Sequence, residues 1–575
     1  MKFLPILCVI GGLVVPSLSL DREAFTFTNY DLNVRVEPEQ QRLGVRGKIT
    51  LRNDSTTPQK NIALQISSTL DWKSIQIAGK AIDFVTHEYT SDIDHTGALS
   101  EAIVTLPEAV PAKGAIELEV GYEGVIPLDV TRLTRIGVPE DKARHTDWDQ
   151  ISKSFTGVRG IGYVVWYPVA TESANLSEGN SVFETLGRWK ARETEANLVI
   201  KLSDSGESSL EPPKLFCNGK AGRQFYEQMG RAFQVHGDCS FEPLGLTVPL
   251  FVIGGYEALG RPSLNIFFLP GHKSGAENYA LAAELAVPLV DKWFGTTRQK
   301  SETVELADAE AAPFESGSMV LTPLGSSDST TYQLTAVHQL THAVFFSPRP
   351  WIYEGLAHFA QALELEQQNG RQAALDFVGR RRAAIVDAEK SLAGAHAQNV
   401  AANESLINTS TEEFYRSKAL YVWWMLRDMV GDAALKKALT AYHSDQDKES
   451  AYLQHLIEAQ THRDLEWFFD DWVYRDRGLP DFRVDSAYPR ARIEGGYTVT
   501  IMIENLGDAG AEVPVTLRME GREVTRRLEV HAKSKAVVRI EASSTPLEVV
   551  VNDGSVPESD LSNNIFKVPL PDTAK

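Results

Sequence analysis

The chain has 575 residues, 43% of them hydrophobic and 23% charged, with a formal net charge of −20. That length is too great for one core and fits about two to four domains, and the composition is that of a globular protein. The acidic balance argues against nucleic acid or an acidic membrane surface as a partner.

The N-terminus reads MKFLPILCVIGGLVVPSLSL, one lysine followed by an apolar run and then small residues at Ser17 and Ser19. This is the pattern of a secretory signal peptide, and residues 1–19 are expected to be removed on export to a periplasmic or extracellular space. The apolar run is short for a membrane span, which needs about 20 residues, and no later segment is long and apolar enough to serve as one. Cleavage would remove Cys8 and leave Cys217 and Cys239. Those two either form a disulfide, closing a loop of about 20 residues and worth roughly 3 kcal/mol, or remain free thiols.

From residue 20 to 258 the pattern is β. Tyr30, Leu32, Val34 and Val36 alternate with polar neighbours, as do the segments starting at Gly47 and Ile116, and turn residues recur at short intervals. A sandwich-like N-terminal β-domain is expected. After Gly260-Arg261-Pro262 the period changes. Ser263 to Leu269, Ser301 to Leu306 and Ser318 to Leu324 read as strands. Ala276 to Phe294 reads as a helix. Helices then dominate, at about Thr331–Phe346, Trp351–Asn369, Gly370–Leu392 and Lys418–Val430, with two more between Asp432 and Val473. This predicts a mixed α+β domain over 259–482. Gly478-Leu479-Pro480-Asp481 marks a boundary, and alternation beginning at Tyr497 predicts a C-terminal β-sandwich over 483–575.

His338 and His342 lie four residues apart, one turn along the same helix face. Two imidazoles so placed can grip one cation, and zinc suits them, with a carboxylate as third ligand and a fourth position left open. Glu354 opens the next helix after Ser347-Pro348-Arg349-Pro350, a turn that breaks the first helix and folds the chain back.

Trp351-Ile352-Tyr353-Glu354-Gly355-Leu356-Ala357 resembles the WLNEGFA segment of the aminopeptidase-N-like gluzincin metallopeptidases, which follows HExxH there. Lys418 to Asp432 resembles that family's KGA…ML…GD helix, Asp464 to Trp472 its DL..FF..W segment, and Lys292-Trp293-Phe294-Gly295 its lead-in. The order of motifs holds from about residue 25 to 480. The resemblance implies a thermolysin-like catalytic domain, a peptide or protein substrate, and His338, His342 and Glu354 as zinc ligands.

Four departures qualify that implication. Where the family keeps a catalytic glutamate the chain has Gln339, and an amide cannot take a proton from water. Losing a general base is expected to cost about 10²–10⁴-fold. The family's GAMEN strand, whose glutamate holds a substrate α-amine, is matched to Gly317–Leu321, where Val320 replaces it and argues against aminopeptidase specificity, with Glu315 nearby as either a residue that reaches the cleft or a plain turn residue. Only 11 residues separate His342 from Glu354, a shorter connector than the aminopeptidases have. The oxyanion tyrosine is displaced by one residue, to Tyr415, with Arg416 in its own position. Tyr353 and Tyr421 are read as packing, and His358, one turn after Glu354, as a packed histidine or a contact of the site. The expectation is an exported zinc-binding protein of metallopeptidase type, weakened by Gln339. The alternatives are an active peptidase using Glu315 or Glu364 as base, or a non-enzymatic binding scaffold.

Overall fold

The structure is a computed structural model. It describes residues 20–569 apart from 179–180, 206–211, 230–231, 297–299, 326–328, 398–404, 408 and 410–412. The proposed signal peptide lies outside the described residues.

The N-terminal half is mostly antiparallel sheet. The alternation read around Tyr30 becomes the strand Phe25–Glu37, in which Tyr30, Leu32, Val34 and Val36 are buried and Asn33 and Arg35 face solvent. It lies inside an eight-stranded sheet, antiparallel to Arg42–Asn53 and parallel to Asn197–Asp204. A three-stranded sheet, Gln59–Ser67, Ala98–Val110 and Phe84–Thr90, and a four-stranded one built around Phe251–Gly254 complete this half. The region is not purely β. Ser181–Glu193 is a helix that buries Val182, Thr185, Trp189 and Glu193, and two short helices, Thr131–Arg135 and Glu140–Thr146, precede it. Cys217 and Cys239 form a disulfide.

A five-stranded mixed sheet follows. Leu264–Phe268, Ser301–Glu305 and Met319–Thr322 run parallel, and Glu257–Gly260 and Phe314–Ser316 close the two edges antiparallel. The helix Lys273–Phe294 packs against it through Tyr279, Ala280, Ala283 and Ala286. The stretch expected as one helix over Gly370–Leu392 is two, Arg371–Gly379 and Arg382–Ala397. Phe482–Ala491, Tyr497–Asn505 and Lys535–Ala542 form one C-terminal sheet, and Ala511–Met519 with three partners forms another. Their inner faces continue the core of the helices: the Trp472 indole donates to the Gly510 carbonyl at 2.7 Å, and Asp471 accepts from the Gly510 amide at 2.8 Å. A smaller cluster, with Trp148, Phe216, Tyr256, Val304, Met319 and Leu321, joins the N-terminal sheets to the five-stranded one. Among the described residues no helix is long and apolar enough to cross a membrane.

Glu193 is fully buried and accepts a hydrogen bond from the Tyr30 hydroxyl at 2.8 Å. Burial, the largest cause, pushes its carboxyl up from 4.5 to about 8. The folded chain therefore holds a proton that the unfolded chain releases between those two values. That contribution to stability is complete below pH 4.5 and is lost as the pH rises through 8. Each pH unit of the window is worth up to about 1.4 kcal/mol. Denaturant midpoints measured from pH 5 to 9 are expected to fall less steeply for Glu193→Gln than for the wild type.

Candidate metal centre

Two consecutive helices carry the site. Ser329–Val344 holds His338 and His342, and Pro350–Asn369 holds Glu354 as its fifth residue. Proline at the first helical position starts the second helix where its missing N–H costs nothing. The intervening turn is fastened from outside. Ser347 Oγ accepts from the Arg349 amide at 3.1 Å and lies 2.8 Å from Tyr442 Oη, whose proton goes to Asp447 at 2.6 Å. The Arg349 guanidinium is paired to the same carboxylate at 2.7 Å. Gly355 lets this helix press on the helix Ala419–Val430, since a Cβ there would stand 2.8 Å from Ala419 Cβ and 2.9 Å from the Trp423 ring.

The outcome is convergence. His338 Nε2 and His342 Nε2 stand 3.1 Å apart, Glu354 Oε1 is 3.7 Å from His342 Nε2, and the three ligand atoms all lie within 4.8 Å of one another. A tetrahedral cation with bonds of about 2.0–2.1 Å places its ligand atoms about 3.3–3.4 Å apart, so these separations bracket the required spacing and the three residues can hold a metal ion. Burial drives the His338 imidazole down to about 4, and drives His342 well below the usual histidine value. Both are neutral at pH 7, the form that offers a lone pair to a cation. Neither Nδ1 has a protein hydrogen-bond partner among the described residues. The Tyr353 ring covers His342 at 3.9 Å between centroids.

Gln339 is buried beside His338, and its Oε1 accepts from the Tyr279 hydroxyl at 2.8 Å. Glu315 is the main surprise. It sits in the centre of the edge strand Phe314–Ser316, opposite Val320. Its carboxyl is pushed up to about 8, first by burial and then by the charge of Glu354, while Gln339 and Arg416 pull it back down. Glu315 thus lies on a strand and not in a turn, and stands close enough to the cluster to feel Glu354, Gln339 and Arg416. Glu364 is not: it accepts from Gln333 and Gln368, both at 2.6 Å, and lies ten residues beyond Glu354, about 15 Å along the helix.

Arg416 donates to Glu354 Oε2 at 3.1 Å. It belongs to a π-helical turn, Glu413–Lys418. The Tyr415 ring lies 5.8 Å from that of Phe183 and beneath the Arg416 guanidinium. His358 packs against His338 at 4.8 Å, with Nδ1 2.9 Å from Gln361 Oε1 and 3.2 Å from an Arg381 nitrogen. Tyr421 is buried. Tyr353 carries no sequence signal beyond its place before Glu354, yet its hydroxyl is held protonated by burial and by the charges of Glu315 and Glu354.

Fold and site together define a multidomain mixed α+β architecture with a two-histidine, one-carboxylate cluster. The chain superposes on the crystal structure of Legionella pneumophila aminopeptidase A in complex with aspartic acid with a TM-score of 0.60 at 11% identity, over 93% of its own length. It spans 59% of the length of that chain. No protein-family model matches the sequence. No curated protein matches it.

Lys418 closes the turn that carries Arg416. It is fully buried, with its ammonium bonded to Glu389 and Asp476. Removing one partner of such a group leaves uncompensated buried charge, at about 3–5 kcal/mol. Lys418→Ala is expected to lower stability by that amount in chemical denaturation, and Lys418→Met combined with Glu389→Gln and Asp476→Asn to recover most of it.

Proposed function

We propose that this protein is an exported zinc-binding protein of the gluzincin metallopeptidase type, holding the metal with His338, His342 and Glu354 and binding peptides, with hydrolysis weakened by Gln339. The observation that carries the reading is the convergence of the three ligand atoms within 4.8 Å beside a buried glutamine. Bound zinc supplies Lewis acidity toward a peptide carbonyl or water. The chain's own groups do the rest. The Tyr279 hydroxyl fixes the Gln339 amide, which can donate or accept a hydrogen bond and cannot accept a proton near neutral pH. Arg416 sets the orientation of Glu354 and brings positive charge to the cleft, and Tyr415 beside it is an oxyanion-donor candidate. Glu315, whose carboxyl is pushed up to about 8 and so holds its proton at pH 7, can pass that proton to a free peptide α-amine and pair with the ammonium so formed, a role that accords with a fold shared with an aminopeptidase. The division at about residues 258 and 482 and the signal peptide over 1–19 belong to the same proposal, and the Cys217–Cys239 disulfide suits an oxidising compartment.

A second reading, an active peptidase with Glu315 as base, is favoured by a carboxyl near pKa 8 in the same cleft. It requires chelator-sensitive cleavage by the wild type that Glu315→Gln abolishes.

Purified protein is expected to hold about one zinc per chain by elemental mass spectrometry, and His338→Ala to lose it. Gln339→Glu is expected to raise peptide hydrolysis by about 10²–10⁴-fold. Zinc retained with no gain in turnover would exclude the lost base as the cause.

A further inference from the structure

Glu315 stands on a strand of three residues at the edge of a sheet, paired on one side only, to Met319–Thr322. The turn that follows bends through Gly317 at φ +59°. Such a strand has little hold on its own position, so what grips it from elsewhere decides where the Glu315 carboxyl points.

Two contacts from the N-terminal half flank it. On one side the Phe314 ring meets Tyr163 edge-on at 5.4 Å and the Arg159 guanidinium at 5.3 Å. Arg159 is itself buried and fixed by Asp149, at 2.6 and 3.0 Å from the same carboxylate oxygen. On the other side Asn218 Nδ2 donates to Ser316 Oγ at 2.7 Å. The remaining bonds of Asn218 leave it no freedom. Nδ2 also donates to the Val248 carbonyl at 2.8 Å, and Oδ1 accepts from the Leu250 amide at 2.9 Å. The residue before it, Cys217, is joined to Cys239 across the neighbouring strands.

From this we infer that Asn218 is a positioning residue for Glu315: a strap from the N-terminal sheets, through Ser316, that sets the carboxyl against the metal cluster and so sets selectivity for peptides with a free α-amine. The inference rests on the amine-binding reading of Glu315. It assigns to the N-terminal half a direct share in the site, through one side-chain hydrogen bond.

Ser316→Ala cuts the strap and keeps the other two bonds of Asn218. In the zinc-loaded full chain, calorimetry with unblocked tetra-alanine is expected to show binding weakened about fivefold, the worth of one hydrogen bond. N-acetyl-tetra-alanine should bind as to the wild type, with zinc content unchanged. Asn218→Ala combined with Ser316→Ala should be no worse than the more damaging single change. Equal affinities of wild type and Ser316→Ala for the unblocked peptide overturn the inference. Should Glu315→Gln leave the preference for the unblocked over the acetylated peptide as in the wild type, the amine reading falls instead, and hydrogen exchange decides the strap. Amides of 314–322 are expected to exchange faster in Ser316→Ala with those of 335–344 unchanged, and equal rates at 314–322 overturn the strap.

Discussion

The turn at Ser347–Pro350 sets the distance between the two helices on which the site is built. With 11 residues between His342 and Glu354 there is no slack, and the chain reverses only because Arg349, Asp447, Tyr442 and Ser347 are bonded into one closed set. Asp447 comes from a segment about a hundred residues away, so the geometry of the metal cluster depends on the completed fold. Gly355 then allows the second helix to lie against Ala419 and Trp423, bringing the π-helical turn and Arg416 up to Glu354. Each contact fixes the partner of the one before it.

That arrangement crowds charge. The charges of Glu354 and Glu315 act on each other beside two neutral imidazoles, and Arg416 donates to Glu354. The raised proton affinity of Glu315 expresses the crowding. A third carboxylate at position 339 would add to it, and the neutral amide does not. The neutral imidazoles of His338 and His342 beside Glu354 are a donor set that could hold a cation.

Much of this was legible in the sequence because it is periodic or local. The alternation around Tyr30 became a strand, the four-residue spacing of His338 and His342 became one helix face, and Pro350 started the helix that carries Glu354. What escaped was short, long-range or shifted in register. A three-residue edge strand is too brief to leave a period, so Glu315 read as a turn residue and the strand motif was sought at Gly317–Leu321 instead. The helix Ser181–Glu193 was hidden in a region whose turn residues and alternation favoured β. Arg416 was placed opposite Glu354 by a π-helical turn, and one extra residue per turn has no compositional signature. The split of Gly370–Leu392 into two helices falls at Gly379–Arg381, with no proline to announce it. Asn218 lies about a hundred residues from Ser316, and spacing alone could not pair them.

The bonds from Trp472 and Asp471 to Gly510 carry a meaning for how this chain can change over time. The C-terminal sheets share one interior with the helices that hold the cluster. They are not a cargo that recombination could add, drop or exchange at the Gly478–Asp481 junction, since a break there would expose Trp472 and its neighbours on one part and the apolar inner faces of the C-terminal sheets on the other. Lineages carrying this site must inherit both parts together, and the two must drift in step.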